Sequence, residues 1–325
     1  MAGCNHLMAA GILVTGATGF VGAALISRLA GEHGYAPVAA VRRDVAFGEG
    51  VDVRLCGSLE VETDWSSVMA GVEVVIHCAA RAHVLDERAT DPLSEFRLVN
   101  VEGTIRLAAQ AADAGVRRFV FISSIGVLGQ QAELPISASS KPDPQEPYAV
   151  SKWEAEEALN KLGREAGMEV VVVRPPLVYG PEAPGNFGQL LRWMVRGMPL
   201  PLGAVDNRRS LVGLDNLVDL LVTCIDHPAA AGGAFLAGDG EDVSTSELLR
   251  RVARAMGRPA RLIPVPPTLL RAGARLVGKE GMARRLLDSL QVDISHTRDV
   301  LGWEPPISLD EGLQRAVAPL SNHRL

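Results

Sequence analysis

A tyrosine and a lysine, Tyr148 and Lys152, stand four residues apart in the segment EPYAVSKWEAEEAL. Pro147 suits the first turn of a helix and the following residues favour helix, so the two side chains are predicted to share one helix face. A phenol has a pKa of about 10, and a cation one turn away favours the phenolate. The pair therefore suits proton exchange with a substrate, although it is also typical of a helix surface. A cofactor site, a third polar group and a substrate pocket elsewhere in the chain would favour the first interpretation.

A glycine-rich segment, LVTGATGFVG, joins the first predicted strand to the first predicted helix. Gly16, Gly19 and Gly22 have the spacing GxxGxxG, which permits a tight turn, close approach of the backbone to a pyrophosphate, and close packing of helix on strand. The first N–H groups of the helix then face the phosphates. The segment predicts a dinucleotide site, with a purely structural turn as the alternative.

Strands and helices alternate along the first half of the chain. Strand patterns occur at 11–16, 35–44, 51–56, 72–80, 116–125 and 168–180, and helix patterns at 20–32, 92–115 and from residue 147. This alternation predicts parallel βαβ units, and therefore an α/β fold with a Rossmann-type, doubly wound parallel sheet.

The pattern becomes less regular after about residue 175. Helices are still predicted at 187–197, 214–228 and 244–257, the last with a capping box formed by Ser244 and Glu247. We therefore expect an NAD(P)-binding Rossmann domain at 1–174 with about 212–240, and a smaller C-terminal α/β substrate lobe at 175–211 and 241–325.

The composition argues against several classes of protein. A formal net charge of -6 disfavours a nucleic-acid partner, which needs a concentrated basic face. No uncharged apolar stretch is long enough to span a bilayer, and the start of the chain lacks a secretory signal. The chain has four cysteines without CxxC spacing, Cys4, Cys56, Cys78 and Cys224. This arrangement is typical of reduced thiols in a cytoplasmic protein without a disulfide framework or a metal site.

The end of the second predicted strand bears on the choice of cofactor. An acidic residue there favours NAD, whereas an arginine accommodates the 2′-phosphate of NADP. This strand ends in Arg42 and Arg43, and Asp44 comes late. NADP(H) is therefore favoured over NAD(H), with the alternative that Arg42 stacks on adenine or points to solvent and leaves NAD usable.

Several motifs follow one another along nearly the whole chain: TGATGFVG at 15–22, HCAA at 77–80, VNVEGT at 99–104, SS at 123–124, YAVSK at 148–152, RPPLVYGP at 174–181 and a C-terminal segment at 292–313. Their order resembles the extended short-chain dehydrogenase/reductase family. Within it, the chain is similar to a UDP-glucose 4-epimerase-like subgroup of bacterial surface-polysaccharide synthesis, which includes reductases of UDP-linked 4-keto-6-deoxy-N-acetylhexosamines. The resemblance implies NAD(P)-dependent hydride transfer at C4 of a UDP-sugar.

The resemblance also implies residue roles. Tyr148 is expected to be the general acid/base, Lys152 to lower its pKa and hold the nicotinamide ribose, and Ser124, rather than Ser123, to hydrogen-bond the substrate oxygen. Asn100 is expected to support the active-site helix. The expected cofactor contacts are Gly16, Thr18, Gly19, Phe20, Val21, Gly22, Arg42, Ser58, Leu59, Ala79, Ala80, Asn100, Tyr148, Lys152 and Pro175, and the expected substrate contacts are Arg81, His83, Ser124, Gly126, Tyr148, Asn186 and Arg208.

Three residues bear on the type of reaction. Relatives that dehydrate sugars carry an acidic pair just after the catalytic serine or threonine, and Ile125 and Gly126 stand there in this chain. Dehydration is therefore not expected, which leaves reduction of a 4-keto sugar and 4-epimerisation. Arg42 favours reduction, because a reductase must exchange its cofactor and commonly uses NADP(H), whereas an epimerase retains its cofactor and usually uses NAD.

Three positions depart from the family pattern. Leu177 replaces an asparagine that contacts the substrate, Ser58 stands where an aspartate often meets adenine, and Gly126 is expected to widen the sugar pocket.

A second alternative to the reductase, besides the epimerase, is an NAD(P)-binding regulatory protein, although such proteins typically lose the tyrosine or the lysine. A steroid or flavonoid dehydrogenase would instead need an apolar pocket where Asn186 and Arg208 are expected to hold a diphosphate.

His83 and Arg81 follow the fourth predicted strand, at a loop edge where ligands bind in α/β folds. Each is interpreted as a substrate contact, with a solvated loop residue as the alternative.

The family resemblance further implies a homodimer formed through the helix at about 91–114 and the helix that begins at residue 147. The other histidines share no ligand spacing and are interpreted as structural or surface residues: His6, His33, His77, His227, His296 and His323.

Overall fold

The computed structural model describes residues 9–82, 90–129 and 134–321, and therefore not Cys4, His6, His83 or His323. The strands in these ranges are β1 (Ala10–Thr15), β2 (Tyr35–Val41), β3 (Asp52–Leu55), β4 (Val72–His77), β5 (Arg118–Ile122), β6 (Glu169–Arg174), β7 (Leu177–Tyr179), β8 (Arg209–Gly213), β9 (Ala234–Leu236) and β10 (Asp242–Val243). The α-helices are α1 (Phe20–Ala30), α2 (Pro92–Arg97), α3 (Thr104–Asp113), α4 (Pro147–Ala166), α5 (Gly185–Val195), α6 (Leu214–Asp226), α7 (Thr245–Ala255), α8 (Pro267–Leu276), α9 (Glu280–Leu287), α10 (Ser295–Leu301) and α11 (Leu309–Ser321).

Seven of the described strands form one parallel sheet in the order β3-β2-β1-β4-β5-β6-β9. The order reverses beside β1, and a crevice forms outside the carboxyl ends of the strands at such a switch point. Helices α1 and α6 cover one face of the sheet through residues such as Leu25 and Leu221. Helices α3 and α4 cover the other face through Leu107 and Leu159. The predicted doubly wound α/β fold is confirmed.

A smaller sheet contains β10, β8 and β7, with β7 parallel and β10 antiparallel to β8. It packs against α5, α7 and α11 through Phe187, Val252 and Leu313. The division of the chain into two domains, and the homodimer, stay predictions.

The helix predicted over 92–115 is divided. A π-helical segment, Leu98–Gly103, separates α2 from α3. Within it Gly103 lies against the loop after β3, where a Cβ atom would come within 2.8 Å of the Leu59 carbonyl oxygen. The wider turn therefore fits a neighbouring loop, which helical periodicity in the sequence does not reveal.

The strand predicted over 168–180 is also divided. Pro175 and Pro176 separate β6 from β7, and the chain passes there from the large sheet to the small one. Proline lacks the N–H group that would continue the hydrogen-bond ladder, so the ladder ends at Arg174.

No helix in the described ranges is long and apolar enough to cross a membrane. The cysteines in these ranges are free thiols: Cys224 is buried, whereas Cys56 and Cys78 are half-buried at the edges of the two core layers.

Candidate active site

The loop between β1 and α1 forms a cradle that side chains would fill. Gly16 has a φ of +64°, and a Cβ atom on it would lie 2.8 Å from the backbone nitrogen of Ala79. A Cβ atom on Gly22 would lie 2.2 Å from the Gly16 carbonyl oxygen. Helix α1 begins after Gly19 without a side-chain cap, so its first N–H groups remain available to an anion. This cradle fits the diphosphate of a dinucleotide.

The other predicted cofactor contacts near the glycine loop differ in solvent exposure. Thr18 is exposed, and Val21, Ala79 and Ala80 are half-buried. The Phe20 ring packs near Gly180, where it would lie 3.3 Å from an added Cβ atom. The Phe20 ring therefore contributes to the packing of the fold, and its predicted cofactor contact stays a prediction.

The end of β5 meets the first turn of α4 at Gly126. A Cβ atom on Gly126 would lie 3.4 Å from the Ser124 hydroxyl oxygen and 3.4 Å from Cβ of Ala149. The Ser124 hydroxyl is therefore a neighbour of the turn that carries Tyr148. The expectation that Gly126 widens the sugar pocket stays a prediction.

Lys152 lies inside the protein, with 2% of its surface exposed. Its Nζ atom is 4.1 Å from the centre of the Phe121 ring. Burial lowers the pKa of Lys152 to about 7, while the negative charge of Glu156 acts in the opposite direction. This lysine therefore loses its proton more readily than a lysine in water.

Tyr148 is half-buried in the first turn of α4, with its ring edge-on to that of Phe96 at a centroid distance of 5.9 Å. The Arg81 guanidinium carbon lies 5.4 Å from the centre of the same Phe96 ring. Burial raises the pKa of Tyr148 to about 12. The expectation that Lys152 lowers this pKa is not met by the protein groups alone, because both groups are desolvated. An oxidised nicotinamide ring would add the positive charge that favours the phenolate.

A buried ion pair lies one helical turn beyond Lys152. Glu156 accepts hydrogen bonds from Arg174 Nε at 3.1 Å and Nη2 at 2.5 Å, and another from the Ser123 hydroxyl. Ser123 is thus occupied in the interior, which leaves Ser124 as the serine beside the first turn of α4. Glu156 was missed by the sequence analysis, although its spacing of four residues from Lys152 repeats the spacing that singled out Tyr148 and Lys152.

Asn100 holds α4 to the loop after β4. Its Oδ1 atom accepts from the Arg81 N–H group at 2.8 Å, and its Nδ2 atom donates to the Arg81 carbonyl at 3.1 Å and to the Ser151 hydroxyl at 3.0 Å. The Ser151 hydroxyl in turn donates to the Tyr148 carbonyl at 2.8 Å. Both amide hydrogens are used within the protein, so Asn100 positions the helix. Its predicted contact with the cofactor stays a prediction.

Two further residues at strand ends make contacts within the protein, and the predicted cofactor contact of Pro175 stays a prediction. Pro175 is buried, and its carbonyl oxygen accepts from the Ile125 N–H group at 2.9 Å. His77 is fully buried between hydroxyl groups, with Nδ1 2.7 Å from Thr15 Oγ1 and Nε2 3.0 Å from Thr104 Oγ1. Burial lowers the pKa of His77 to about 3, so its ring is neutral and ties β1, β4 and α3 together.

The residues predicted for the adenosine end follow β2 and β3. Arg42 and Ser58 are exposed, and Leu59 is half-buried against Gly103. Burial raises the pKa of the Cys56 thiol, while the charge of Arg42 acts in the opposite direction, which places the guanidinium near the end of β3.

The residues predicted for the substrate are spread over several elements. Asn186 is half-buried in the first turn of α5, and Arg208 is exposed just before β8, where its backbone N–H group donates to Ser289 Oγ at 3.0 Å. Leu177 packs against the core of the small sheet. Their contacts with a sugar diphosphate stay predictions, and His83 lies outside the described residues.

We expect Gly16→Ala to weaken binding of the nicotinamide cofactor by roughly tenfold or more, because a side chain both strains the backbone and enters the cradle. Fluorescence titration with NADH and NADPH measures the effect. Gly115→Ala is the matched control, since Gly115 has a φ of +80° with no atom within 4 Å of an added Cβ atom. Equal losses of affinity in the two variants would contradict the cradle.

Comparison with known proteins shows which family the chain resembles. The family model for NAD-dependent epimerases/dehydratases matches residues 12–238. The chain is 45% identical over 314 residues to a UDP-glucose 4-epimerase of Vibrio cholerae, covering 96% of this chain and 95% of that protein. Its fold is similar to UDP-glucuronic acid 4-epimerase from Bacillus cereus, solved with NAD, with a TM-score of 0.76, 21% identity and 94% of each chain covered. It is also similar to UDP-glucose 4-epimerase from Thermotoga maritima, solved with UDP-glucose, with a TM-score of 0.75, 23% identity and coverage of 96% and 99%.

These similarities agree with the site described above. The family match spans the glycine cradle, the end of β5 and all of α4. No group of three histidine, cysteine or acidic side chains in the described ranges is placed to hold a metal ion. The resemblance inferred from the motifs and the prediction of an enzyme are confirmed. The chain belongs to the NAD-dependent epimerase/dehydratase family.

Proposed function

We propose that this protein transfers a hydride at C4 of a UDP-sugar. The observation that carries the proposal is the placement of the Ser124 hydroxyl beside the first turn of α4, the helix that holds Tyr148 and Lys152. The β5 end that carries Ser124 and the glycine cradle both lie at the carboxyl edge of the sheet, where ligands of this fold bind.

Each of the three side chains has a distinct task in the proposed reaction. A bound nicotinamide supplies or accepts the hydride. Tyr148 donates a proton to the C4 oxygen when a ketone is reduced, and removes it when an alcohol is oxidised. Ser124 donates a hydrogen bond to the same oxygen. Lys152, whose charge is sensitive to pH near neutrality, favours the phenolate of Tyr148 when protonated.

We further propose that the reaction is the NADP(H)-dependent reduction of a UDP-4-keto-6-deoxy-N-acetylhexosamine, which serves surface-polysaccharide synthesis. The support is Arg42, which is exposed at the end of β2, where a cation suits a 2′-phosphate. The second candidate is 4-epimerisation of UDP-glucose or UDP-N-acetylglucosamine with retained NAD. It is favoured by the 45% identity to a protein named UDP-glucose 4-epimerase.

The decisive experiment incubates the purified protein with UDP-glucose, UDP-N-acetylglucosamine and a UDP-4-keto-6-deoxy sugar. Reduction is supported if NADPH absorbance falls in the presence of the keto sugar and one alcohol product forms for each NADPH consumed. Interconversion of C4 epimers without net change in cofactor supports epimerisation and overturns the reductase proposal. Binding of cofactor without turnover of any of these sugars would favour a regulatory protein over both reactions.

The choice of cofactor is tested at Arg42. We expect Arg42→Ala to weaken NADPH binding by roughly ten- to a hundredfold and to leave NADH binding nearly unchanged, because one charge-assisted contact with the 2′-phosphate is lost. Isothermal titration with both cofactors measures the ratio. Arg43→Ala, which removes the adjacent exposed arginine, is the control. If Arg42→Ala left the ratio of the two affinities unaltered, the assignment of NADP(H) would be wrong.

A further inference from the structure

Helices α8 and α9 form a basic surface on an acidic protein. Residues 267–287, called here the α8–α9 pair, contain five basic residues and one acidic residue, whereas the whole chain has a formal net charge of -6. The connector before the pair adds Arg258 and Arg261. Positive charge is thus concentrated in one short part of the sequence.

The same pair exposes large apolar side chains. Helix α8 has no buried residue, and its exposed residues include Leu269 at 63% and Leu276 at 88%, followed by Val277 at 67%. Leu269 and Leu276 are seven residues apart and therefore lie on one face of the helix. Leu270 lies on a different face and packs against the core cluster that contains Leu287 of α9. The pair is thus anchored on one side and apolar on another.

Ion pairs neutralise only part of this charge. Arg271 contacts Asp288 at 2.7 Å, and Arg275 contacts Glu280 at 3.4 Å. Both arginines are more than half exposed, and such pairs form and break at little cost in water. Lys279 and Arg284 are also exposed and add to the positive surface.

The α8–α9 pair lies beside the candidate active site. Arg285 of α9 contacts Glu146 at 3.1 Å, and Glu146 is the N-cap residue of α4, two residues before Tyr148. Ser289, just after α9, accepts the backbone hydrogen bond of Arg208. A surface that bound the α8–α9 pair would therefore lie next to the N-terminal end of α4.

We propose that the α8–α9 pair docks this protein on the surface of an anionic phospholipid bilayer. Leucines on one face of a helix, together with arginine and lysine, are the composition of helices that lie in a membrane interface. The apolar side chains enter the boundary of the acyl chains, and the cations meet the lipid phosphates. The protein is bound peripherally, and docking brings the end of α4 that carries Tyr148 to the lipid surface.

Flotation of the full-length protein with vesicles tests the proposal. Vesicles of phosphatidylcholine with about 30% phosphatidylglycerol are compared with pure phosphatidylcholine, at low and high salt. We expect binding to the anionic vesicles only, and less of it at high salt. We expect the partition coefficient to fall by roughly tenfold or more in Leu276→Glu, and by a similar factor in the double variant Lys279→Glu/Arg284→Glu. In the double variant two cations are lost, and each cation near the surface accounts for about fivefold.

Matched variants distinguish the proposed surface from general effects. Leu134→Glu places the same charge at another residue that is 76% exposed, and Lys141→Glu reverses another exposed cation. Both should bind anionic vesicles like the wild type. No binding of the wild type to anionic vesicles, or equal losses in test and control variants, would overturn the proposal. Sedimentation velocity tests whether a second copy of the chain covers the apolar face instead. The proposal would also be overturned if the wild type were a dimer, Leu276→Glu were a monomer, and anionic vesicles bound neither protein.

Discussion

Replacement of Tyr148 by phenylalanine is expected to lower turnover of the UDP-sugar by roughly 10²- to 10⁴-fold, the usual contribution of a general acid or base. The phenylalanine ring retains the edge contact with Phe96, and the hydrogen bond from Ser151 to the residue 148 carbonyl does not involve the phenol. The folded structure should therefore be unchanged. Steady-state kinetics of the variant, with cofactor binding measured in parallel, gives the effect on the chemical step alone.

Tyr35→Phe provides the control for loss of a tyrosine hydroxyl. The Tyr35 hydroxyl donates to Asp226 at 2.8 Å on the protein surface, at the start of β2 and away from the carboxyl edge of the sheet. We expect normal turnover in this variant. If Tyr148→Phe kept most of the wild-type turnover on the sugar that the wild type converts, Tyr148 would not be the proton donor and acceptor.

Replacement of Glu156 by glutamine should destabilise the folded protein by about 3–5 kcal/mol, because it leaves the buried Arg174 guanidinium without its counter-charge. Glu156 and the Arg174 side chain have 1% and 8% of their surfaces exposed. Urea denaturation measures the loss in the free energy of unfolding. Glu154→Gln is the control on the same helix, and little change is expected because its partner Arg97 keeps 44% of its side-chain surface in solvent.

A double variant separates the charge effect from general damage to the core. Arg174→Met added to Glu156→Gln removes the uncompensated cation and should recover part of the lost stability. An equal or larger loss in the double variant would show that the ion pair is not the cause.

The pH dependence of activity provides a second measurement on Glu156. Its carboxylate raises the pKa of Lys152 against the larger effect of burial, so glutamine at 156 should lower that pKa further below about 7. Lys152 then loses its proton at lower pH. If protonated Lys152 is needed for turnover, the decline of activity on the alkaline side moves to lower pH. A profile identical to that of the wild type would mean that Glu156 acts on stability only.

Residue order was sufficient to predict the α/β fold and the family of this protein. The glycine spacing at 16–22 depends on local backbone geometry, and the alternation of strands and helices depends on local periodicity, so both can be read along the chain. The pairing of Tyr148 with Lys152 follows from helix geometry over four residues. The family follows from the order of such local motifs. These features share one property, which is that their physical cause lies within a few residues.

The state of the site depends on contacts between residues distant in sequence. Lys152 reads as a cation in the chain, yet burial in the core lowers its pKa to about 7. Glu156 meets its partner Arg174 only when β6 lies beside α4. The π-helical turn at Leu98–Gly103 lies where the Leu59 loop packs against Gly103. In α8 the fold buries Leu270 partly and leaves Leu269 and Leu276 in solvent. Burial and charge pairing are properties of the packed chain, because they depend on which distant groups displace water around a side chain.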